Sequence, residues 1–330
     1  MSDPAFRVAD ATAWTAADYP APRAWTRPLE APHLAELDRV VDAAHAADPR
    51  SEPGEVPLPA TRDLLRACAR DLEHGPGFAV LSGFPVDRYG PDDLRVAFCA
   101  LLREMGTIAP QTRDGTTVID VVDRERPYDH TSRGYHSNQL LPFHTDGAQC
   151  VALLCLDKAH RGGESVITSA ASASNAVLAE RPDLWEVLAR GFHHHRRGEQ
   201  QPGEPPISPA RIPVFALHDG LLHCMYNRNP IEWAEGEGAR LTALEREALD
   251  YLDAVLARPE LHLAMELEPG DVQMLNNFVV LHSRTAFEDR PPRRRHLLRV
   301  WLDLPESCRR GPTLLDLYAP RAEGALPDRK

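Results

Sequence analysis

The chain has 330 residues and a formal net charge of −12, enough length to bury a large core as a single domain. The acid excess argues against nucleic acid as a partner, because that calls for a basic face. No run of 18 apolar residues exists, so no membrane span is expected, and the opening MSDPAFRVADATAW does not read as a secretory signal.

The first 30 residues are rich in Ala, Pro and Trp and read as an irregular arm wrapped on the domain. Helical spacing runs over 33–46, with Leu34, Leu37, Val40 and Val41 on one face. A Pro-rich loop, SEPGEVPLP, separates it from a second helix over about Thr61 to Glu73. GPGFAVLSGFPVD gives a short apolar strand, and PDDLRVAFCALLREMG a third helix with Pro91 near its start.

From about residue 115 short β-type runs take over: TTVIDVV, VALLCLD, ESVITS, RIPVFAL and HLAMELE, then GDVQMLNNFVVLHS and HLLRVWLDL. Two helices interrupt them, ASNAVLAERPDLWEVLARG and TALEREALDYLDAVLA. The expected fold is mainly β with flanking helices, a jelly-roll or cupin-like double-stranded β-helix. The expected organisation is one domain over 1–330: an arm and helical part over 1–110, the jelly-roll core over 111–304, and a loosely packed tail over 305–330. The six cysteines, Cys68, Cys99, Cys150, Cys155, Cys224 and Cys308, are scattered without a C-x-x-C. They read as reduced thiols, and a cytoplasmic location is expected.

The chemistry concentrates at His144-Thr145-Asp146. Side chains at i and i+2 of an extended segment point the same way, so His144 and Asp146 converge while Thr145 faces away. His282 follows the apolar run FVVL and can supply a second imidazole from a neighbouring strand. Two histidines and one carboxylate form the facial set of non-haem Fe(II) oxygenases.

The segments LPFHTDG, RGGES and GDVQMLNNFVVLHSRTAFEDRPPRRRHLLRVWLDL together resemble the taurine dioxygenase and clavaminate synthase-like family of Fe(II)/2-oxoglutarate oxygenases, over roughly 75–304. The resemblance implies Fe(II) held by His144, Asp146 and His282, with 2-oxoglutarate and O2 as co-substrates. It implies an arginine for the distal carboxylate of 2-oxoglutarate. Arg299, alone in the strand HLLRVWLDL, is the expected one, since a buried guanidinium needs an anion. Arg293, Arg294 and Arg295 read instead as a solvated run in a Pro-rich loop. Ser165 of GGES is the expected hydroxyl contact to 2-oxoglutarate. The implied reaction is oxidative decarboxylation to succinate and CO2 coupled to hydroxylation, desaturation or epoxidation of a substrate. Halogenation is disfavoured because Asp146 occupies the position a halide would need.

The substrate is expected to be a small molecule, amino-acid-like or a natural product. Tyr135, Ser137 and Asn138 before the metal ligands, and Asn227 and Arg228 in CMYNRNPIEW, read as an aromatic–polar loop, are candidate substrate contacts. Asn276 and Asn277 suit a turn. His193, His194 and His195 alternate in direction on extended backbone, and read as structural beside a mobile polar loop, RRGEQQPGEPP. Two other readings fit the same pattern: a non-catalytic jelly-roll binding protein, and a hydroxylase of protein side chains.

Overall fold

The computed structural model describes residues 7–318 apart from 22, 24, 48–55, 113, 127, 128, 130–133, 199, 201, 202, 306 and 310. The arm is anchored by Trp14, whose Nε1 donates to the Pro76 carbonyl at 2.8 Å and whose ring meets Phe78 edge-on. Strand β1 (Thr26–Pro28) lies parallel to β2 (Phe78–Ser82). Helices α1 (Ala31–Ala46), α2 (Pro59–His74) and α3 (Pro91–Arg103) all carry proline at N1 or N2, where its missing N–H costs no helical hydrogen bond.

The chain continues through β3 (Thr107–Ala109), β4 (Val118–Val122), β5 (Leu141–His144), β6 (Cys150–Asp157), β7 (Arg161–Gly162) and β8 (Ser165–Ser169). Then follow α4 (Ala170–Glu180), α5 (Pro182–Arg190), β9 (Phe215–His218), β10 (Leu221–Cys224), α6 (Arg228–Trp233) and α7 (Ala243–Leu256). The last elements are β11 (His262–Met265), β12 (Val272–Asn276), β13 (Val280–Arg284), β14 (Phe287–Glu288), β15 (His296–Asp303) and α8 (Leu314–Tyr318).

Two sheets form the jelly roll. The larger has the order β1-β2-β12-β6-β15-β3, with β4 also on β15; the smaller is β11-β8-β13-β5. The period of two along a strand gives the larger sheet two buried faces. On β6 and β15, Cys150, Ala152, Leu154, Leu298, Val300 and Leu302 pack under α1–α3. The alternate residues Val151 and Trp301 face the smaller sheet, where they meet Ile167, Leu263 and Val280. A separate cluster joins α4, α5 and α7 to the β9–β10 hairpin.

Three expectations are corrected. The single helix expected over ASNAVLAERPDLWEVLARG breaks at Arg181, held at φ −140° and ψ 69° before Pro182; proline disfavours helical backbone at the preceding residue. The run GDVQMLNNFVVLHS divides at Asn276-Asn277, the residues suited to a turn: after β12 the Val279 N–H donates to the Asn276 carbonyl, and the chain passes into the other sheet as β13. The segment CMYNRNPIEW, expected as a loop, begins α6 at Arg228. The tail is not loose throughout: Ser307 Oγ donates to Glu73 at 2.6 Å, the Leu315 N–H donates to the Gly147 carbonyl, and Leu314 lines the central cavity.

Candidate metal centre and co-substrate site

β5 and β13 are antiparallel neighbours, and His144 and His282 are direct cross-strand partners in them. Their rings lie 4.2 Å apart. Asp146 follows on the loop after β5, with Oδ1 3.9 Å from His144 Nε2. One ligand atom from each of the three residues lies within 4.8 Å of the others, and among the described residues this is the one such group of three.

The loop bearing Asp146 is held from several sides. The Asp146 N–H donates to Asn277 Oδ1 at 2.9 Å, and Asn277 Nδ2 donates to the Ala148 carbonyl at 2.9 Å. Thr145 donates its N–H to the Tyr226 carbonyl and accepts the Tyr226 N–H on Oγ1. Trp301 Nε1 donates to Asp146 Oδ2 at 2.9 Å, and Arg299 Nη1 sits 3.2 Å from the same oxygen. Burial alone would raise the Asp146 carboxyl, but Arg299, His282, His144 and the Trp301 hydrogen bond outweigh it and hold it well below the usual carboxylate range. Burial keeps both imidazoles neutral: His282 is pushed down to about 3, with His144 adding to the effect, and His144 is lowered despite Asp146.

This donor set fits ferrous iron: two neutral imidazoles and one ionised carboxylate on one side of the ion. His144 Nδ1 donates to the Pro142 carbonyl at 2.9 Å, which fixes the tautomer that leaves Nε2 as the free donor. His282 Nδ1 is buried without a hydrogen-bond partner among the described residues, an orphan that a bound ion or its water would relieve.

A cavity opens from the three ligands. Its walls include Val121, Leu141, Leu153, Leu297 and Trp301, and four arginines, Arg197, Arg284, Arg295 and Arg299. β15 and the residue before it account for two of these: the residues at 295, 297, 299 and 301 alternate toward the cavity. Arg299 enters it as expected, but its guanidinium is already engaged. Nε donates to Gln111 Oε1 at 2.8 Å while Nη1 meets Asp146. Gln111 in turn donates Nε2 to the carbonyls of Thr117 and Arg299, each at 2.8 Å.

The solvated reading of Arg293–Arg295 is corrected at Arg295. Arg293 and Arg294 are exposed, whereas Arg295 is only 7% exposed. No acid bonds its guanidinium among the described residues, and burial pushes it down to about 10. Arg284, two residues after His282 and so on the same face of β13, is lowered to about 9 by burial and then by Arg295. Both guanidiniums rest on the Phe287 ring, at 4.6 and 5.4 Å from its centroid. Arg284 Nη2 donates to the Gln139 carbonyl, and its Nε is buried without a partner among the described residues.

The second glycine of GGES explains how Arg295 is accommodated. Gly162 and Gly163 have φ of 72° and 83°, a region that favours glycine. A Cβ on Gly163 would lie 2.9 Å from Arg295 Cδ. Ser165, opposite Arg284 in the β8–β13 register, lines the cavity and donates Oγ to Gln273 Oε1 at 2.9 Å.

The remaining candidates separate clearly. Asn227 is buried, lines the cavity and bridges the His144 backbone. Arg228 is not available for substrate: it pairs with Glu232 at 2.8 Å, Asp250 at 2.7 Å and Asp253 at 3.1 Å. Ser137 is buried with Oγ accepting the Gln139 N–H, and Asn138 is exposed; neither lines the cavity. The Tyr135 side chain lies outside the described residues. His193 and His194 bond the Ser208 carbonyl and the Tyr318 hydroxyl, in keeping with a structural role. Sequence reasoning missed Gln111, Trp301, Arg284, Arg295 and Arg197. The alternation that pointed to Arg299 would also have found Arg295 and Trp301.

No described helix is long and apolar enough to cross a membrane. The model of the family described as "Taurine catabolism dioxygenase TauD, TfdA family" matches residues 42–301. The FR-33289 synthase of Streptomyces rubellomurinus is 36% identical over 274 residues, covering 80% of this chain and 79% of that protein. A uridine-5'-phosphate dioxygenase of a Streptomyces species is 29% identical over 239 residues, covering 68% and 84%. Among solved structures, asparagine oxygenase with Fe(II), 3-hydroxyasparagine and succinate superposes with a TM-score of 0.62 at 19% identity, covering 84% of this chain and 93% of that one. The non-haem iron oxygenase OrfP with Fe and α-ketoglutaric acid gives 0.61 at 17% identity, covering 84% and 93%.

Proposed function

Since the chain belongs to the TauD/TfdA family of Fe(II)- and 2-oxoglutarate-dependent oxygenases, we propose that it oxidises a C–H bond of a small molecule at an iron held by His144, Asp146 and His282. The chemistry a ferrous ion supplies in such a site is the coupling of O2 and 2-oxoglutarate, giving succinate and CO2, to transfer of the second oxygen atom to the substrate. The protein's own part is positioning. Asp146 is ionised and oriented by Trp301 and Arg299, the two imidazoles are kept neutral, and the apolar wall of Val121, Leu141, Leu153 and Leu297 excludes water.

The observation that carries the co-substrate assignment is Arg295: a buried guanidinium with no acid partner among the described residues, beside a second one in the same condition. Burying such a charge unpaired is costly. The distal carboxylate of 2-oxoglutarate supplies the anion for Arg295 and Arg284, and Ser165 adds a hydroxyl. Arg299 then orients Asp146 rather than gripping the co-substrate. The test is the 2-oxoglutarate affinity of Fe(II)-loaded variants measured without O2. Arg295→Leu is expected to weaken it by about a hundredfold, the cost of a buried charge-assisted pair. Unchanged affinity in Arg295→Leu, with the loss appearing only in Arg299→Leu, restores Arg299 to that role.

The relatives named for FR-33289 and for uridine-5'-phosphate, and the fold neighbour that acts on asparagine, support a small natural product or amino-acid-like compound as substrate.

A further inference from the structure

Among the described residues, four guanidiniums and one carboxylate line the cavity. Arg299 is paired with Asp146 at 3.2 Å, and the proposed co-substrate carboxylate meets Arg284 and Arg295. Arg197 is the guanidinium left without an assigned anion.

Arg197 comes from a different part of the chain, the loop that follows α5, and it is held there deliberately. Its backbone sits at φ 56°, a left-handed conformation that non-glycine residues rarely adopt. Its N–H donates to His195 Nδ1 at 3.0 Å. The preceding Arg196 is paired with Glu204 at 2.8 Å. Arg197 has no such acid among the described residues, and its Nε is buried without a partner. The His195 N–H donates to the Pro230 carbonyl at 2.8 Å, which ties the loop bearing Arg197 to the start of α6, just beyond Asn227. Asn227 lines the same cavity and is bridged to the His144 backbone.

We propose that Arg197 and Asn227 together receive an oxyanion of the substrate, so that this enzyme acts on anionic small molecules carrying a carboxylate, phosphate or phosphonate group. Arg197 is the specificity residue: it supplies charge and a planar fork of donors, and Asn227 supplies an amide N–H. This rests on the co-substrate reading, because it needs Arg284 and Arg295 to be occupied by 2-oxoglutarate.

The test uses the full chain loaded with Fe(II) and 2-oxoglutarate without O2, titrated calorimetrically with propylphosphonate, with butyrate and with neutral butanol. The parent is expected to bind at least one of the two anions and not the alcohol; which anion binds more tightly tells a tetrahedral from a planar oxyanion. Arg197→Gln should weaken that anion by about tenfold or more while leaving 2-oxoglutarate affinity unchanged. Arg197→Lys should recover part of the loss, and Asn227→Ala should show a smaller loss. Equal anion binding by Arg197→Gln and the parent overturns the proposal, as does a parent that binds neither anion, or a variant that loses 2-oxoglutarate instead. If the parent takes up no 2-oxoglutarate, it is the co-substrate reading that fails, and the same titration of the Fe(II) protein alone still decides the role of Arg197.

Discussion

His144 and His282 face each other across the β5–β13 pair, their rings 4.2 Å apart although 138 residues separate them in the chain. The pairing of two strands in the smaller sheet thus sets the spacing of the two imidazoles before any ion arrives. Asp146 is added by the loop that leaves β5, fixed by Asn277 from the turn that leads into β13. The same crossing between sheets therefore positions all three ligands.

Trp301 acts on the metal only through Asp146. Trp301→Phe keeps the ring in the core between the sheets and removes one donor, the Nε1–H on Asp146 Oδ2. Loss of such outer contacts lowers metal affinity by about 10–100-fold, and that range is expected for Fe(II) by competition with a chelator, with circular dichroism unchanged. Parent-like Fe(II) affinity would show that Arg299 alone orients the carboxylate.

Gln111 clamps Arg299 and two backbone carbonyls from a fully internal position. Gln111→Leu leaves those groups without partners, at a cost of roughly 1–3 kcal/mol for each buried group left unpaired. Urea unfolding of the iron-free variant should show a clearly lower midpoint with the slope preserved. A midpoint equal to the parent's would mean that water replaces the amide.

Stability should also fall with acid through two histidines away from the metal centre. His194 and His223 are each held down to about 3, chiefly by burial. The unfolded chain takes up these protons near the ordinary value of about 6.5. Between those limits the unfolded state binds more protons, so stability rises with pH. The contribution is complete above about pH 6.5 and is lost as pH falls toward 3, by up to ~1.4 kcal/mol per pH unit for each histidine. Urea midpoints of iron-free protein between about pH 7.5 and about pH 5 measure the slope, and His223→Leu should flatten it. An identical slope in that variant would locate the proton uptake elsewhere.

Much of this was legible in the sequence because periodicity is a local property. The jelly roll followed from alternating short strands, and the ligand set from His144 and Asp146 two apart with His282 after an apolar run. What escaped reading was decided by tertiary burial. Arg295 belongs to a Pro-rich, charged stretch that looks solvated, yet the Gly162-Gly163 turn and Phe287 enclose it. Arg228 looked available because its segment was read as a loop, which hid the i,i+4 pair with Glu232, and because Asp250 and Asp253 come from α7, whose approach no local pattern reveals. Arg197 lay in a loop judged mobile, and only its left-handed backbone and its place on the cavity single it out.

The central claim is that His144, Asp146 and His282 hold Fe(II) in a site completed by 2-oxoglutarate. The most direct measurement is an anaerobic titration of the parent and of His144→Ala with Fe(II) and 2-oxoglutarate, read by visible absorption. The parent is expected to develop the metal-to-ligand charge-transfer band of a chelated 2-oxoglutarate at one equivalent of iron, and His144→Ala to develop none. A band of equal strength in both proteins, or none in the parent, would contradict the account.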